Sequence, residues 1–410
     1  MTSYSSVLTI RPFRSLWFAQ ICSQLAINTL LFVLALRIYQ NTGSNAAVSG
    51  LFLAYGIPSV LFGMIAGTAV DHLDKRRMLM YCDILRGILV FLLLFISGNI
   101  FLVYLVTFVN AIITQFYVPS EAPLIPKVVP SNLLVQANSL FSFTYYSSLA
   151  VGTILSGPLL RWFGPQWIFL FISALFFTAV WFESRLPSQA VGVLEFTHIF
   201  RYQAGHLVSR IFEELFEGVR YVRSIPALLD SLLLLTGTQI IFAMLGTLGP
   251  GFADRVLRID VRDASLFIVG PAVVGIIAGA LWVGSFGYML KPGRLIKLGV
   301  ISAGVLLLLI SLTARIHVGL GIAMVLFFCL GGANSLLDAP ANSVLQEEAK
   351  GSMRGRVYGI LTAAVGGVGI VPVIIGGVLA DMVGVERVIL LLGIVILAYG
   401  IYRMKYNKDY

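Results

Sequence analysis

A short charged loop between two long apolar stretches carries the most concentrated polar chemistry in this sequence. Gly63 and Gly67 lie four residues apart in the first stretch, Asp71 ends it, and residues 74–77 read Asp-Lys-Arg-Arg. Glycines at this spacing allow close helix packing, and a carboxylate beside basic groups can pair in one conformation and separate in another. For the basic residues alone, setting membrane topology is the alternative. The residues predicted to form and brace such a latch are Gly63, Gly67, Asp71, Lys75, Arg76, Arg77, Asp83 and Arg86.

Polar side chains also recur at helical spacing inside otherwise apolar stretches. Gln20, Gln24 and Asn28 follow one another every four residues, and Asn110 and Thr114 repeat the interval. Residues four apart share one face of a helix. Such faces either line a polar path or hydrogen-bond to neighbouring helices, where each bond contributes about 0.6–2 kcal/mol. For the set as a whole, a polar-lined cavity is the better interpretation.

Enzymatic chemistry has little support in the sequence. The four histidines are scattered, with no nucleophile–base pair or metal-ligand spacing, and the three cysteines fall in separate apolar stretches. Glycine-rich runs such as Gly366-Gly367 lie inside apolar stretches, where they suit helix packing rather than phosphate binding. We therefore predict that the chain is not an enzyme and binds no cofactor or metal.

The composition identifies the elements that must position these residues. Hydrophobic residues make up 58% of the 410 and charged residues only 11%, whereas a soluble domain has about 25% charged residues. A membrane-spanning helix needs roughly 20 mainly apolar residues. The sequence therefore predicts an all-α membrane protein with twelve spans. These spans lie near 14–39, 46–69, 78–97, 101–125, 133–161, 166–184, 226–251, 264–288, 295–314, 318–343, 354–381 and 386–403.

The basic residues predict the orientation of these spans. With both termini inside, about three quarters of the 28 Lys and Arg residues fall on the cytoplasmic side, as the positive-inside rule requires. Topology and the anionic inner leaflet thus explain the net charge of +9. No soluble basic domain remains for nucleic acid, so we exclude nucleic acid as a partner. We expect a monomeric, multi-pass protein of the cytoplasmic (inner) membrane, with the lipid bilayer as its surroundings.

The chain repeats itself with a shift of about 217 to 220 residues, which lays the second six spans over the first six. The prediction is therefore two pseudo-symmetric halves, residues 1–184 and 226–410, joined by a cytoplasmic linker over 185–225. Within the linker, apolar residues from Leu207 to Val222 share one helical face opposite charged residues. This pattern predicts an amphipathic helix lying on the membrane surface, either as a plain linker or as a part that couples the halves.

Several motifs together resemble one known family. The loop continues from Asp71 into Asp83-Ile-Leu-Arg86, the fourth span ends in a proline-rich run from Pro119 to Pro130, and a basic run Arg354-Gly-Arg356 follows the tenth span. These features resemble the major facilitator superfamily of secondary transporters, specifically the drug:proton antiporter branch with macrolide efflux proteins and enterobactin-type exporters. The resemblance covers about residues 11 to 400. It implies the twelve-helix fold of that family and makes the latch a cytoplasmic gate.

The resemblance also places the polar residues. In this family the first, fourth, seventh and tenth helices line a central cavity, and aromatic residues of the fifth would suit an amphipathic solute. The predicted cavity residues are Gln20, Gln24, Asn28, Asn110, Thr114, Tyr117, Tyr145, Thr236, Gln239 and Asn334. Charges inside a bilayer are functional candidates, and the predicted coupling residues are Asp338, Glu121 and Arg37. No carboxylate falls in the middle of a cavity helix, so proton coupling and facilitated or exchange transport both stay open.

The function that the resemblance implies is secondary transport by alternating access, with export of an amphipathic small molecule such as a drug, a macrolide or a siderophore. Protons are the expected coupling partner if transport is coupled. Two alternatives remain at this point. The same fold could move a lysophospholipid or a small metabolite, or the chain could be a membrane sensor or scaffold that does not transport.

Overall fold

The fold is all-helical wherever the structure is described. The computed structural model describes residues 4–71, 73–96, 98–187, 216–287, 290–316, 319–349 and 353–406, and these ranges contain no strand. The helices of the first part are α1 (Arg11–Thr42), α2 (Asn45–Asp71), α3 (Lys75–Ile96), α4 (Ile100–Glu121) and one long helix, Leu134–Glu183. Those of the second part are α7 (Pro226–Phe252), α8 (Gly270–Phe286), α9 (Pro292–Ile316), α10 (Leu320–Glu348), α11 (Met353–Ala363 and Ile370–Val383) and α12 (Val385–Tyr406).

The long helix contains two of the predicted spans. It bends at Gly164, whose φ of 79° is open to glycine but strained for other residues, and Pro165 follows directly. We call its two arms α5 (134–163) and α6 (165–183). In α11 the two helical pieces are joined by a π-helical turn, Ala364–Val368. With these two divisions, helices α1 to α12 coincide with the twelve predicted spans, so the predicted fold class is confirmed.

The helices have the length and composition of membrane spans. Among the described residues, 10 helices are long and apolar enough to cross a membrane, and Ile370–Val383 is a shorter apolar helix. Large apolar side chains such as Phe95, Phe101, Trp162 and Leu281 stand fully or largely exposed on the surface. Soluble monomers rarely expose apolar surface on this scale, whereas lipid tails accommodate it. The chain is thus a multi-pass membrane protein.

By their contacts, the helices form two compact units. The first comprises Met1–Ile38 and Gly50–Tyr202, and the second comprises Tyr39–Ser49 and Gln203–Tyr410. The predicted boundaries of the halves and linker stay a prediction, because residues 188–215 lie outside the described ranges. The end of the predicted amphipathic helix is described: residues 216–224 are helical, and Val222 is buried against the second unit's core.

Within the first unit, α3 packs closely on α6 and α1 on α5. A Cβ atom added to Gly87 of α3 would lie 3.1 Å from the Phe177 ring, and the Ser173 hydroxyl donates to the Gly87 carbonyl at 2.8 Å. A Cβ atom added to Gly152 of α5 would lie 3.0 Å from the Asn28 side chain and 3.1 Å from the Thr29 backbone nitrogen of α1. These approaches hold the polar face of α1 and the charged start of α3 in fixed positions.

Within the second unit, glycines bring α8 and α10 into backbone contact. A Cβ on Gly275 would overlap the Phe328 carbonyl, and one on Gly331 would overlap the Ala272 carbonyl. Lipid supplies no hydrophobic drive for helix association, so this close van der Waals packing is what holds such helices together. The pair α9 and α12 meets similarly at Gly304 and Gly393.

Candidate functional site

The predicted latch loop is held by helix-end contacts. Asp74 accepts hydrogen bonds from the backbone N–H groups of Arg76 at 3.0 Å and Arg77 at 3.3 Å, which makes it the N-cap of α3. The Lys75 ammonium is buried and donates to the Val70 carbonyl near the end of α2. Cations at a helix C-terminus are favourable because they bind the last free carbonyls. These contacts fix the turn between α2 and α3.

The remaining latch residues differ in what they contact. Arg76 donates to the carbonyl of Ser184 at the end of α6, whereas the exposed Arg77 approaches Asp74 at 3.7 Å. Gly63 faces the side chain of Gln115 on α4. Asp71 ends α2, but its side chain and the packing of Gly67 lie outside what the structure describes. The predicted latch role of Asp71 therefore stays a prediction.

Asp83 and Arg86, which were predicted to brace the latch, form a buried ion pair within α3. The Arg86 Nη1 atom lies 3.0 Å from Asp83 Oδ1, and the two side chains are 2% and 0% exposed. Ser23 of α1 donates to the same carboxylate oxygen at 3.0 Å. The guanidinium also lies 4.4 Å from the centre of the Tyr117 ring of α4, a cation–π contact. The pair thus joins α1, α3 and α4 inside the first unit.

Two more carboxylates lie beside this ion pair. Glu121 at the end of α4 is buried, and its charge interacts with those of Asp83 and Arg86. Glu183 at the end of α6 is fully buried and interacts with Asp83, Arg86 and Glu121. Sequence reasoning selected Glu121 but missed Glu183, because an acid at the last position of a span resembles an ordinary interfacial charge. We call Asp83, Arg86, Glu121 and Glu183 the buried charge cluster.

The predicted polar faces of α1 and α4 lie in the first unit. Gln20 is buried and donates to the Phe141 carbonyl of α5, and Asn110 is buried with neither polar atom of its amide hydrogen-bonded. Thr114 donates to the Asn110 carbonyl within its own helix. Gln24 and Asn28 are half-buried on the same helix as Gln20. Gln24, Asn28 and Thr114 are therefore partly accessible, whereas the Asn110 amide is enclosed.

Aromatic residues of α5 extend this region. Tyr145 and Tyr146 are 49% and 68% exposed and contact each other edge to face at 5.4 Å. Tyr145 lies near Tyr55 of α2, and Tyr55 in turn lies near Arg86. Tyr55 is thus a neighbour of both the exposed aromatic surface and the buried charge cluster.

The other predicted coupling and cavity residues are separate from this cluster. Arg37 of α1 is half-buried with its guanidinium 5.2 Å from the Phe169 ring centre, so it packs on an aromatic face. In the second unit, Asp338 of α10 is half-buried and accepts from the Asn342 amide at 3.3 Å. Thr236 is buried without a hydrogen-bond partner for its hydroxyl, while Gln239 is exposed and Asn334 half-buried.

The second unit contains a carboxylate cap that sequence reasoning did not single out. Asp381 near the end of α11 accepts from the backbone N–H groups of Asn45 and Ala46 at 2.9 and 3.0 Å. It also accepts from the Ser44 hydroxyl at 2.6 Å and the Asn45 amide at 2.9 Å. Arg255 donates to the carbonyl of Gly43 next to it at 2.7 Å. Asp381 therefore caps the first turn of α2.

A second ion pair braces the other side of this unit. Arg403 of α12 makes two parallel hydrogen bonds to Asp230 of α7, at 2.9 and 2.6 Å, and the two side chains are 2% and 17% exposed. Bidentate pairs of this kind are the geometrically most specific ion pairs. Among the described residues, no three His, Cys, Asp or Glu side chains are placed to hold a metal ion.

Comparison with known proteins identifies relatives along almost the whole chain. The family model described as "Major Facilitator Superfamily" matches residues 16–373. The chain is 25% identical to the uncharacterized MFS-type transporter YfiS of Bacillus subtilis, with 91% of this chain and 87% of the relative covered. It is 23% identical to macrolide efflux protein A of Streptococcus pyogenes (95% and 94% covered) and 26% identical to the multidrug efflux pump Tap of Mycobacterium tuberculosis (89% and 86% covered).

A solved structure of similar fold is the D323A mutant of the nucleoside transporter NupG. The TM-score is 0.74 at 14% sequence identity, with 97% of this chain and 100% of that chain covered. At this identity the similarity concerns the fold alone.

Proposed function

The chain belongs to the major facilitator superfamily, and from this premise we propose that it is a secondary exporter of amphipathic organic compounds that works by alternating access. Membrane transport is the activity of the family. The direction and the class of cargo are our proposal. Two of the relatives, a macrolide efflux protein and a multidrug efflux pump, are named for export, and their alignments cover most of both chains.

The observation that carries the cargo class is the combination of aromatic and polar surface in the first unit. Tyr145 and Tyr146 present exposed rings on α5, and Gln24 and Asn28 on α1 are half-buried polar side chains of the same unit. A drug-sized ligand typically buries most of its surface against apolar and aromatic side chains, while a few polar groups orient it. An amphipathic organic compound matches this surface better than a strongly hydrated metabolite does.

Transport assays in whole cells test this proposal. Cells that express the protein are loaded with fluorescent organic cations or a macrolide, with and without a protonophore. We expect lower accumulation than in empty-vector cells, restored by the protonophore. Accumulation equal to that of empty-vector cells for every compound would refute export of this class.

Tyr145→Ala localises the cargo surface. Loss of one aromatic contact costs about 0.5–1.5 kcal/mol beyond area burial, which corresponds to roughly 2- to 12-fold weaker apparent affinity. Phe101→Ala is the control, because Phe101 is an exposed aromatic residue of the same unit that belongs to none of the predicted sites. Equal effects of the two substitutions would argue that Tyr145 faces lipid.

The proposed orientation has both termini in the cytoplasm of a bacterial cell membrane. It follows from the excess of Lys and Arg on one side of the spans. Cysteines introduced at residue 76, in the first turn of α3, and at residue 162, in the last turn of α5, should react with an impermeant reagent from opposite sides of the membrane. Reaction of residue 76 from outside intact cells would contradict the orientation.

A further inference from the structure

The buried charge cluster of the first unit holds more acid than its single base can neutralise. Asp83 from α3 pairs with the one guanidinium of Arg86, the charges of Glu121 from α4 and Glu183 from α6 interact with both, and Asp83 and Glu183 are fully buried. If all three acids were ionised, three negative charges would face one positive charge. Uncompensated charge inside a bilayer protein is strongly unfavourable.

The hydrogen bonds show which acids are left uncompensated. Arg86 donates to Asp83 Oδ1 at 3.0 Å and to the Ser23 hydroxyl at 3.2 Å, so Asp83 has a cationic partner, although Asp83 Oδ2 and Arg86 Nε are buried without a hydrogen-bond partner. Both carboxyl oxygens of Glu183 and one of Glu121 are buried without a hydrogen-bond partner. A buried carboxylate normally accepts several hydrogen bonds, whereas a protonated acid carries no charge to stabilise.

We propose that Asp83, Arg86, Glu121 and Glu183 form a proton-binding site, in which Arg86 neutralises Asp83 and protons neutralise Glu121 and Glu183. The other titratable groups that act on the cluster are Cys22 of α1, Tyr55 of α2, Cys82 of α3 and Tyr117 of α4. All four are uncharged at neutral pH in their ordinary forms. Among these groups, Arg86 is the one cation.

A metal cation fits this cluster less well than protons do. The guanidinium of Arg86 already occupies the position beside Asp83 that a cation would take. In the described part of the chain, no set of three acidic, histidine or cysteine side chains converges closely enough to ligate a metal ion. A proton needs one oxygen lone pair, and neither oxygen of Glu183 accepts a hydrogen bond from a donor group.

The site lies near the proposed cargo surface, and the following link between the two rests on the proposed function. Tyr55 lies near both Arg86 and Tyr145. Loss of a proton from Glu183 would place a second negative charge near Arg86. The Glu183 carboxylate would then compete with Asp83 for the guanidinium. A shift of the guanidinium would then change the surroundings of Tyr55 and, through it, of Tyr145.

Infrared spectroscopy of the purified protein tests proton binding without any transport. A protonated carboxylic acid has a C=O stretch distinct from that of a carboxylate and shifts in heavy water. We expect protonated-acid signals at neutral pH that weaken at alkaline pH, and a loss of signal in Glu183→Gln and in Glu121→Gln. Glu347→Gln is the control, because Glu347 is exposed on α10. Signals unchanged in both cluster variants would overturn the proposal.

Glutamine is a close isostere of protonated glutamic acid, so stability gives a second readout. We expect Glu183→Gln to melt within experimental error of wild type at neutral pH. A large loss of thermal stability in Glu183→Gln would mean that Glu183 is ionised and needed as an anion, which overturns the proposal. If Glu183→Gln is not produced in folded form, Glu121→Gln and the pH titration of the wild-type signal decide the question.

Transport in proteoliposomes tests the coupling. Glu183→Gln should lose export driven by a pH gradient but retain exchange of labelled for unlabelled compound, because exchange requires no net proton release. Gradient-driven export equal to that of wild type would refute coupling through Glu183. If wild type moves none of the compounds, the proposed function fails, while the infrared result still decides whether the cluster binds protons.

Discussion

Substitution of Asp381 should destabilise the second unit more than its partial exposure suggests. Its two carboxylate oxygens accept four hydrogen bonds, two at each oxygen. Two of the donors are the backbone N–H groups of Asn45 and Ala46 in the first turn of α2, which have no partners within the helix, and the third is the hydroxyl of Ser44 just before α2. The fourth donor is the Asn45 amide.

The expected magnitude follows from this geometry. Asp381→Asn keeps one acceptor oxygen and replaces the other by an amide that donates, so two of the four bonds are lost. Hydrogen bonds to charged groups contribute about 1.5–3 kcal/mol each. The side chain is 24% exposed, and water can replace part of the loss. We therefore expect a loss of about 2 kcal/mol for Asp381→Asn and about 3–4 kcal/mol for Asp381→Ala, where all four bonds are lost.

The melting temperature of the purified protein in detergent measures this effect. For a unit of about 200 residues, 1 kcal/mol corresponds to roughly 2–4 °C, so Asp381→Asn should melt about 4–8 °C lower. Asp260→Asn is the control: Asp260 also accepts from a backbone N–H and pairs with Arg262, but on an exposed loop. Asp260→Asn should lower the free energy of unfolding by about 1 kcal/mol or less. Equal shifts for the two substitutions, or no shift for Asp381→Ala, would refute the reasoning.

Two further predictions concern the second unit. Arg403→Met should lower the free energy of unfolding by about 3 kcal/mol or less, because it leaves the 17% exposed carboxylate of Asp230 without its bidentate partner. Adding Asp230→Asn to Arg403→Met should recover part of this stability. No recovery in the melting curve of the double variant would contradict the prediction. Gly275→Ala should sharply reduce the yield of folded protein, because its Cβ would overlap the Phe328 carbonyl, whereas Gly284→Ala of the same helix meets no atom within 4 Å and should be neutral. Gel-filtration profiles of the two glycine variants compare these outcomes, and identical profiles would be the contrary result.

The sequence alone determined the number and position of the spans. Each span is a local property, since about 20 apolar residues are enough to form a helix that satisfies its own backbone in lipid. The structure adds a local contact that had not been predicted: Asp74, one residue before α3, caps that helix. In the structure, the break between the fifth and sixth predicted spans falls at Gly164, next to Pro165.

Only the tertiary structure decided which polar groups meet. Ser23 and Asp83 are 60 residues apart in sequence, Asp381 and Asn45 are 336 apart, and Asp230 and Arg403 are 173 apart. A helical repeat predicts which residues share a face, but not which other helix that face will meet. Glycine contacts and side-chain packing between helices make that choice, because lipid gives no preference among apolar faces. For this reason Glu183 looked like an interfacial charge in the sequence, and its burial beside Asp83 and Arg86 became visible only in the fold.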